Sequence, residues 1–109
     1  MNWNKLTEIS QLDAIDKQSE NHAVLILKHS TRCNISVTAL ARLERRLTSS
    51  EVIPYLLDVL LYRNVSSEAA RRYRVQHESP QALLIRSGQC VYHESHLAIS
   101  ADEIESAAA

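Results

Sequence analysis

Residues 23–36 read A-V-L-I-L-K-H-S-T-R-C-N-I-S, and they carry the clearest fold signal in the chain. Its first five residues form a continuous, partly β-branched apolar run, which is typical of a strand buried on both faces. After it, four apolar residues recur at the spacing of one helix face: Val37, Leu40, Leu43 and Leu47. Cys33 lies between the two patterns. The sequence therefore predicts a buried strand followed by a helix, with Cys33 at the start of the helix.

Further strands are predicted on both sides of this unit. They are a short edge segment near Trp3 and Leu6, a second buried strand over residues 53–59, and a hairpin of residues 81–86 and 90–93. Pro54 is tolerated at the start of its strand, where the missing N–H does least harm. Ser87 and Gly88 supply a two-residue turn between the last two strands.

Helices are predicted between these strands and after the hairpin. Ser10 has the character of an N-cap for the first of them, and Ser100 for the last. A further helix over residues 64–75 would be capped by Asn64 or Ser66. Its inner side would be formed by three residues: Ala69, Ala70 and Tyr73.

The order of elements predicts an α/β architecture. Alternating helices and strands followed by a hairpin imply a mixed sheet with helices on both faces. The two buried strands should be parallel and joined by a right-handed crossover. The arrangement is that of thioredoxin, a three-layer α/β/α sandwich around a mixed sheet of four to five strands. The length of 109 residues fits a single domain over residues 1–109.

Composition limits the partners and the compartment. The formal net charge of −1 gives no electrostatic case for nucleic acid or for an anionic membrane surface, so neither is expected as a partner. The longest apolar run, Ala23 to Leu27, is far too short to span a bilayer, and no signal peptide opens the chain. We therefore expect a cytoplasmic monomer. Its two cysteines, Cys33 and Cys90, should stay free in a reducing compartment.

Cys33 is the first candidate for chemistry. A thiol attacks as the thiolate, and unpaired N–H groups at a helix start favour that negative charge. Lys28, His29 and Arg32 lie close in sequence and could assist. The hydroxyl of Ser36, three residues on, could donate to the sulfur across the first turn, so Ser36 is the second predicted catalytic residue. The alternative is that Cys33 is a buried structural cysteine.

Pro80 is the second candidate, because X–Pro bonds are the main source of cis peptides. A cis bond there would present the backbone of Ser79 to an extended partner. His77 and Glu78 precede this proline and could line the same surface as Cys33, or simply form a polar loop.

Cys90 lies in the predicted hairpin and is expected to be a half-buried core thiol. A distant resolving thiol is the alternative. His93 and His96 follow it, but their spacing to each other, to Cys33 and to His77 fits no compact zinc pattern. No metal site is expected.

Two motifs carry a resemblance to a known family. Residues 28–36, K-H-S-T-R-C-N-I-S, resemble the active-site stretch of the YtxJ-like monothiol bacilliredoxins, usually K-H-S-T-x-C-P-I-S. Residues 77–81, H-E-S-P-Q, match a second segment of that family, and Tyr92–His96 resembles its C-terminal hairpin and loop. The match runs from about Leu6 to Ile104. Asn34 stands where the family has proline, and it supplies one more N–H near the sulfur.

The resemblance implies a cis Ser79–Pro80 bond that faces Cys33. It also implies that the protein removes bacillithiol, a cysteine–glucosamine–malate thiol, from S-bacillithiolated proteins. Bacillithiol would be the co-substrate, and no bound cofactor is expected. The implied substrate-binding residues are Lys28, His29, Thr31, Arg32, Asn34, His77, Ser79 and Pro80.

The absence of a second cysteine three residues after Cys33 limits the kind of thiol–disulfide exchange that is possible. Because position 36 is serine, Cys33 cannot close a local disulfide and can exchange only once, holding the product as a mixed disulfide. The sequence leaves two other functions open. The first is a non-catalytic thioredoxin-like module that binds a partner at the cis-proline edge, and the second is a monothiol iron–sulfur carrier.

Overall fold

A computed structural model describes residues 1–49 and 51–109. The strands are β1 (Asn4–Lys5), β2 (Ala23–His29), β3 (Val52–Asp58), β4 (Gln81–Arg86) and β5 (Gln89–Ser95). The helices are α1 (Ser10–Gln18), α2 (Asn34–Arg46), α3 (Arg63–Tyr73) and α4 (Ala101–Ala108), with a single 3-10 turn at His96–Ala98. None of the helices in the described ranges is long and apolar enough to cross a membrane.

The five strands form one mixed sheet in the order β1-β3-β2-β4-β5. Strands β1 and β2 both run parallel to β3, whereas β4 is antiparallel to β2 and β5. The predicted parallel pair, the hairpin and the α/β/α thioredoxin-like class are confirmed. Strand β2 lies at the centre, which explains why every residue of it is buried.

The side chains of β2 alternate between two cores. Val24 and Ile26 pack in the core that contains Leu12 of α1 and Val65 of α3. The other core combines Leu25 and Leu27 of β2 with residues of α2 and α4, namely Ala39, Leu43 and Ile104. By the same alternation, Lys28 belongs to the α1/α3 side of the sheet and His29 to the α2/α4 side.

The inner face of α2 matches the prediction from Leu40 onwards and differs at its start. Leu43 and Leu47 are buried, and Leu40 packs against the same core, with Leu47 just beyond the last helical residue. Val37 is 49% exposed, whereas Ser36 is buried. One residue corresponds to a rotation of about 100° around a helix, so Ser36 and not Val37 lies on the inner face of the first turn.

Two of the three predicted N-caps were wrong. Ser10 is the first helical residue of α1 and does not cap it, and the Oε1 atom of Gln11 accepts from the N–H groups of Thr7 and Glu8, which precede the helix. Helix α3 has no side-chain cap. Ser100 does cap α4, since its Oγ accepts from the N–H of Glu103 at 3.3 Å.

Candidate active site

Cys33 occupies the N-cap position of α2 in an extended conformation. Its N–H donates to the carbonyl of Ser30 at 3.2 Å, and its carbonyl accepts from the N–H of Val37 at 3.0 Å. The residue is partly exposed, and no side chain caps the helix start. Cys33 is therefore partly accessible from solvent at the start of a helix whose first N–H groups have no side-chain acceptor.

Ser36 does not donate to the sulfur as predicted. It is fully buried, its Oγ accepts from the N–H of Ser30 at 2.9 Å, and it lies 2.6 Å from Nδ1 of His29. No hydrogen bond joins Ser36 to Cys33 among the described residues. Instead, Ser36 ties the start of α2 to the end of β2. These contacts hold together the two ends of the loop that carries Cys33.

His29 is the partner of Ser36 and is itself buried. Burial lowers the pKa of His29, and the carboxylates of Asp58 and Glu44 offset part of this effect. The imidazole is thus favoured in its neutral form. A neutral His29 can accept the hydroxyl proton of Ser36 while that hydroxyl accepts from Ser30.

The Ser79–Pro80 peptide bond is cis, as the resemblance implied. Its loop is fixed to the end of β5 by two contacts: the carbonyl of Pro80 accepts from the N–H of His96 at 2.9 Å, and Ser95 Oγ donates to Glu78 at 2.5 Å. Ser79 Oγ is buried and has no hydrogen-bond partner among the described residues. The two C-terminal motifs of the sequence therefore meet in space and hold the cis-proline loop.

The sheet register brings this loop next to the loop of Cys33. Lys28 pairs with Gln81 in the antiparallel ladder, so one step further along places Pro80 alongside His29. On the other side of β2, the N–H of Val59 donates to the carbonyl of His29 at 3.1 Å. Three loops, β2–α2, β3–α3 and α3–β4, thus meet at one edge of the sheet.

Lys28 does not lie on the surface that a substrate would touch. It is fully buried on the α1/α3 side, where its Nζ donates to the carbonyl of Ser66 at 3.3 Å and to Nδ1 of His77 at 3.1 Å. Desolvation lowers the pKa of Lys28 to about 8. Its influence on the site therefore passes through His77 and Ser66.

The remaining predicted residues surround Cys33 with exposed side chains. Thr31, Arg32 and Asn34 are all exposed, and Asn34 opens α2. Thr31 and His29 also border a mostly apolar cavity of about 250 Å³ together with Asp58, Leu61 and other residues of β1 and β3. Leu61 is 72% exposed there. The surface beside the thiol thus combines polar groups with an apolar recess.

Two contributors were missed from the sequence. Ser66 was read as a helix cap, yet its Oγ lies 3.1 Å from Nδ1 of His77. Ser95 was part of a motif without a role, yet it holds Glu78. The alternation of side chains along β2 could have shown that Lys28 and His29 lie on opposite sides of the sheet, because consecutive strand residues point to opposite faces. Nothing local in the sequence signals a contact between α3 and the segment before Pro80.

Cys90 lies at the far end of the sheet from Cys33. It pairs with Ile85, whereas the pair nearest to Pro80 is Gln81 with Ser95. Its Sγ donates to the carbonyl of Tyr92 at 3.2 Å, and burial raises the pKa of this thiol. Both cysteines are free. The half-buried, unreactive environment fits the predicted core thiol and gives Cys90 no way to resolve a disulfide at Cys33.

Comparison with solved structures supports the thioredoxin-like fold. The chain is 33% identical to a protein described as a candidate oxidoreductase with a thioredoxin fold, with 94% of this chain and 90% of that chain covered and a TM-score of 0.82. The oxidised thioredoxin of Plasmodium falciparum is 20% identical over 99% of this chain and 100% of its own, with a TM-score of 0.76. A mutant thioredoxin of Halobacterium salinarum is 20% identical over 96% and 89%, with a TM-score of 0.71.

Fold and site together define a thiol oxidoreductase of the thioredoxin fold with one cysteine at the helix start. A family model described as monothiol bacilliredoxin BrxC matches residues 4–104. The chain belongs to this family. The resemblance seen in the two sequence motifs is confirmed.

Proposed function

We propose that this protein removes bacillithiol from S-bacillithiolated proteins in the cytoplasm, acting as a monomer. The observation that carries the proposal is the placement of Cys33, which is partly exposed at an uncapped helix start beside the loop of the cis-proline. The position where a second cysteine would resolve the disulfide holds Ser36, which is fully buried. Such a site exchanges one thiol at a time.

The first step is an exchange without net oxidation. The Cys33 thiolate attacks the bacillithiol sulfur of the mixed disulfide, and a new S–S bond forms between Cys33 and bacillithiol. The bond between bacillithiol and the target breaks, so the target leaves as a thiolate and takes a proton. Cys33 has then been oxidised to a mixed disulfide, and the target cysteine has been reduced.

A second thiol completes the cycle. Free bacillithiol, or the thiol of a reductase, attacks the bacillithiol sulfur of the mixed disulfide on Cys33. A new disulfide forms between the attacking thiol and bacillithiol, and the Cys33–bacillithiol bond breaks with Cys33 leaving as the thiolate. Bacillithiol is thus a co-substrate, and the chemistry needs no bound cofactor. The buried Ser36 leaves no thiol within the first turn of α2 to compete with this external step.

The residues around Cys33 bind the substrate and orient its disulfide. The backbone of Ser79 supports an extended substrate, while Pro80 itself is buried and holds that backbone in place. The N–H groups at the start of α2, including that of Asn34, stabilise the thiolate. Thr31 and Arg32 border the thiol on the exposed side. His29 and Ser36 hold the loop from beneath.

A matched pair of cysteine variants tests the proposal. Reduced wild-type protein mixed with an S-bacillithiolated target should free the target thiol, which a thiol-reactive dye measures. Cys33→Ala should free none, because the attacking sulfur is gone. Cys90→Ala should match wild type, because Cys90 lies at the other end of the sheet. Equal release by wild type and Cys33→Ala would refute the proposal.

A further inference from the structure

Lys28 is a buried positive charge without a counter-ion. It is fully buried, and no carboxylate lies within 4.0 Å of its Nζ among the described residues. Its partners are neutral: the carbonyl of Ser66 and Nδ1 of His77. A buried ammonium is costly unless something compensates it. An anion bound close by would supply that compensation.

The contact with Lys28 determines which nitrogen of His77 carries the proton. A charged ammonium has only donors, so Nδ1 of His77 must accept from it. The ring proton then lies on Nε2. Partial desolvation and the charge of Lys28 lower the pKa of His77, while Glu78 raises it. His77 thus presents a fixed Nε2–H donor on an exposed ring.

His77 lines a cavity of about 280 Å³ between the β3–α3 loop, the start of α3 and the segment before Pro80. The lining residues are Val59, Leu60, Arg63, Ser66, Ser67 and His77. They provide a guanidinium, two hydroxyls and an imidazole, and they include no carboxylate. Arg63 is exposed and forms no ion pair with any described residue.

Two acidic residues that adjoin the lining residues in sequence, Asp58 and Glu78, are hydrogen-bonded elsewhere. Glu78 accepts from Ser95 Oγ. Asp58 Oδ1 accepts from the N–H groups of Leu60 and Leu61. Neither therefore fills the cavity as an internal counter-ion. The positive and donor groups around the cavity stay available to a ligand.

The cavity lies at the same sheet edge as Cys33. Val59, which lines it, donates its N–H to the carbonyl of His29 at the end of β2. His77 is three residues before Pro80 in the loop that lies alongside the Cys33 loop. A small molecule attached to the sulfur could thus extend towards the cavity.

We propose that this cavity binds a carboxylate group of the small thiol that Cys33 exchanges, with Arg63 and the Nε2–H of His77 as donors. Lys28 acts as a positioning residue that holds the His77 tautomer and adds buried positive charge. The assignment rests on the proposed function for the identity of the thiol. Bacillithiol carries its carboxylates on malate, and glutathione also carries carboxylates, so the shared chemistry is a carboxylate-bearing thiol.

Binding can be measured apart from the exchange reaction. L-Malate is titrated into the unreactive Cys33→Ser variant and followed by NMR. We expect saturable binding that weakens about tenfold in Arg63→Ala, the loss of one charge-assisted contact. His77→Gln should keep binding because its amide nitrogen replaces Nε2. His77→Asn places its amide at Nδ1 and should weaken binding.

The tautomer of His77 can be measured separately from malate binding. The ¹⁵N shifts of the His77 ring should show the proton on Nε2 in the wild type and a mixture of tautomers in Lys28→Met. A wild-type ring protonated on Nδ1 would overturn the role given to Lys28. Absence of malate binding, or equal binding by Arg63→Ala, would overturn the site.

A kinetic experiment separates the sources of the carboxylate. One target is converted to its mixed disulfide with bacillithiol, with glutathione or with cysteamine, which has no carboxylate. Arg63→Ala should raise KM about tenfold for the thiol that the site takes and leave the cysteamine KM unchanged. Turnover of bacillithiol that is insensitive to Arg63→Ala would refute the site alone. Malate binding without any bacillithiol turnover would refute the proposed function alone.

Discussion

Ser36 shows how a single hydroxyl can shape the site without touching the sulfur. Its contacts to Ser30 and His29 join the first turn of α2 to the end of the central strand. A serine three residues after the cysteine is visible in the sequence. The direction of its hydroxyl is not, because it depends on which face of α2 turns inward.

Removing this hydroxyl should loosen the site and the fold together. Ser36→Ala leaves the buried N–H of Ser30 without an acceptor, and we expect the free energy of unfolding to fall by about 1–3 kcal/mol. Urea denaturation measures this. Thr38→Ala, an exposed change on the same helix, should stay within about 0.5 kcal/mol of wild type. Equal stability of Ser36→Ala and wild type would show that the two contacts contribute nothing.

Lys28 and His29 are adjacent in the sequence and act on opposite faces of the sheet. Both were predicted to assist the thiol directly, yet Lys28 reaches only Ser66 and His77. The opposite directions of the two side chains follow from the alternation of residues along a strand. The contact of Lys28 with Ser66 of α3 depends on tertiary packing and is not visible in the sequence.

Burial of Lys28 makes stability depend on pH. The pKa of Lys28 falls from 10.5 to about 8, so between these values the unfolded chain binds a proton that the folded chain has lost. Folding is therefore favoured more as pH rises through this window. At pH 7, Lys28→Met should raise the free energy of unfolding by about 1–3 kcal/mol, since the buried charge is removed.

The gain from Lys28→Met should shrink as pH rises from about 8 to about 10.5, because the wild type then buries a neutral amine. Urea midpoints of both proteins across this range measure the difference. A gain that is constant with pH would contradict the burial of a charged amine.

At the scale of elements, strand β5 supports the cis-proline loop. Ser95 and His96, at and just after its end, hold Glu78 and Pro80. The existence of the hairpin was predictable from Ser87-Gly88 and the flanking apolar residues. Its contact with the loop before β4 was not, because that contact joins residues that are distant in sequence.

Loss of the Ser95 contact should affect catalysis more than stability. Ser95→Ala removes the hydrogen bond to Glu78, so the loop of Pro80 is held less firmly and substrate is oriented less well. We expect kcat/KM for the target disulfide to fall about three- to tenfold. His93→Ala, an exposed change on the same strand, serves as the control and should match wild type. An equal effect of the two changes would assign the loss to β5 as a whole.

Helix starts were the least predictable elements. Ser10, Asn64 and Ser66 are all good capping residues, yet none of them caps a helix in the structure. In α1, the N–H groups of Gln11 and Leu12 donate to the carbonyls of Glu8 and Ile9, so the backbone turn before the helix takes the place of a side-chain cap. Capping preference indicates where a helix can begin, and the local backbone decides whether a side chain is needed to satisfy its free N–H groups.

At the scale of the whole molecule, the chemistry is gathered at one edge of the sheet. The buried run of β2 predicts the centre of the sheet, and its end carries the reactive loop. The cis-proline loop and the β3–α3 loop reach the same edge because β3 runs parallel to β2 and β4 antiparallel to it. The order of elements along the chain predicted the relative directions of these strands, whereas the spatial order of all five was not predicted. The buried contacts behind the edge depend on side-chain packing.

Transfer of bacillithiol to Cys33 can be followed by the mass of the intact protein during reaction with a bacillithiolated target. We predict one bacillithiol adduct, located on Cys33 after proteolysis, that forms as the target loses the same mass. The adduct should disappear when free bacillithiol is added. An adduct on Cys90, or a target that loses bacillithiol while Cys33 stays unmodified, would show that Cys33 is not the attacking thiol.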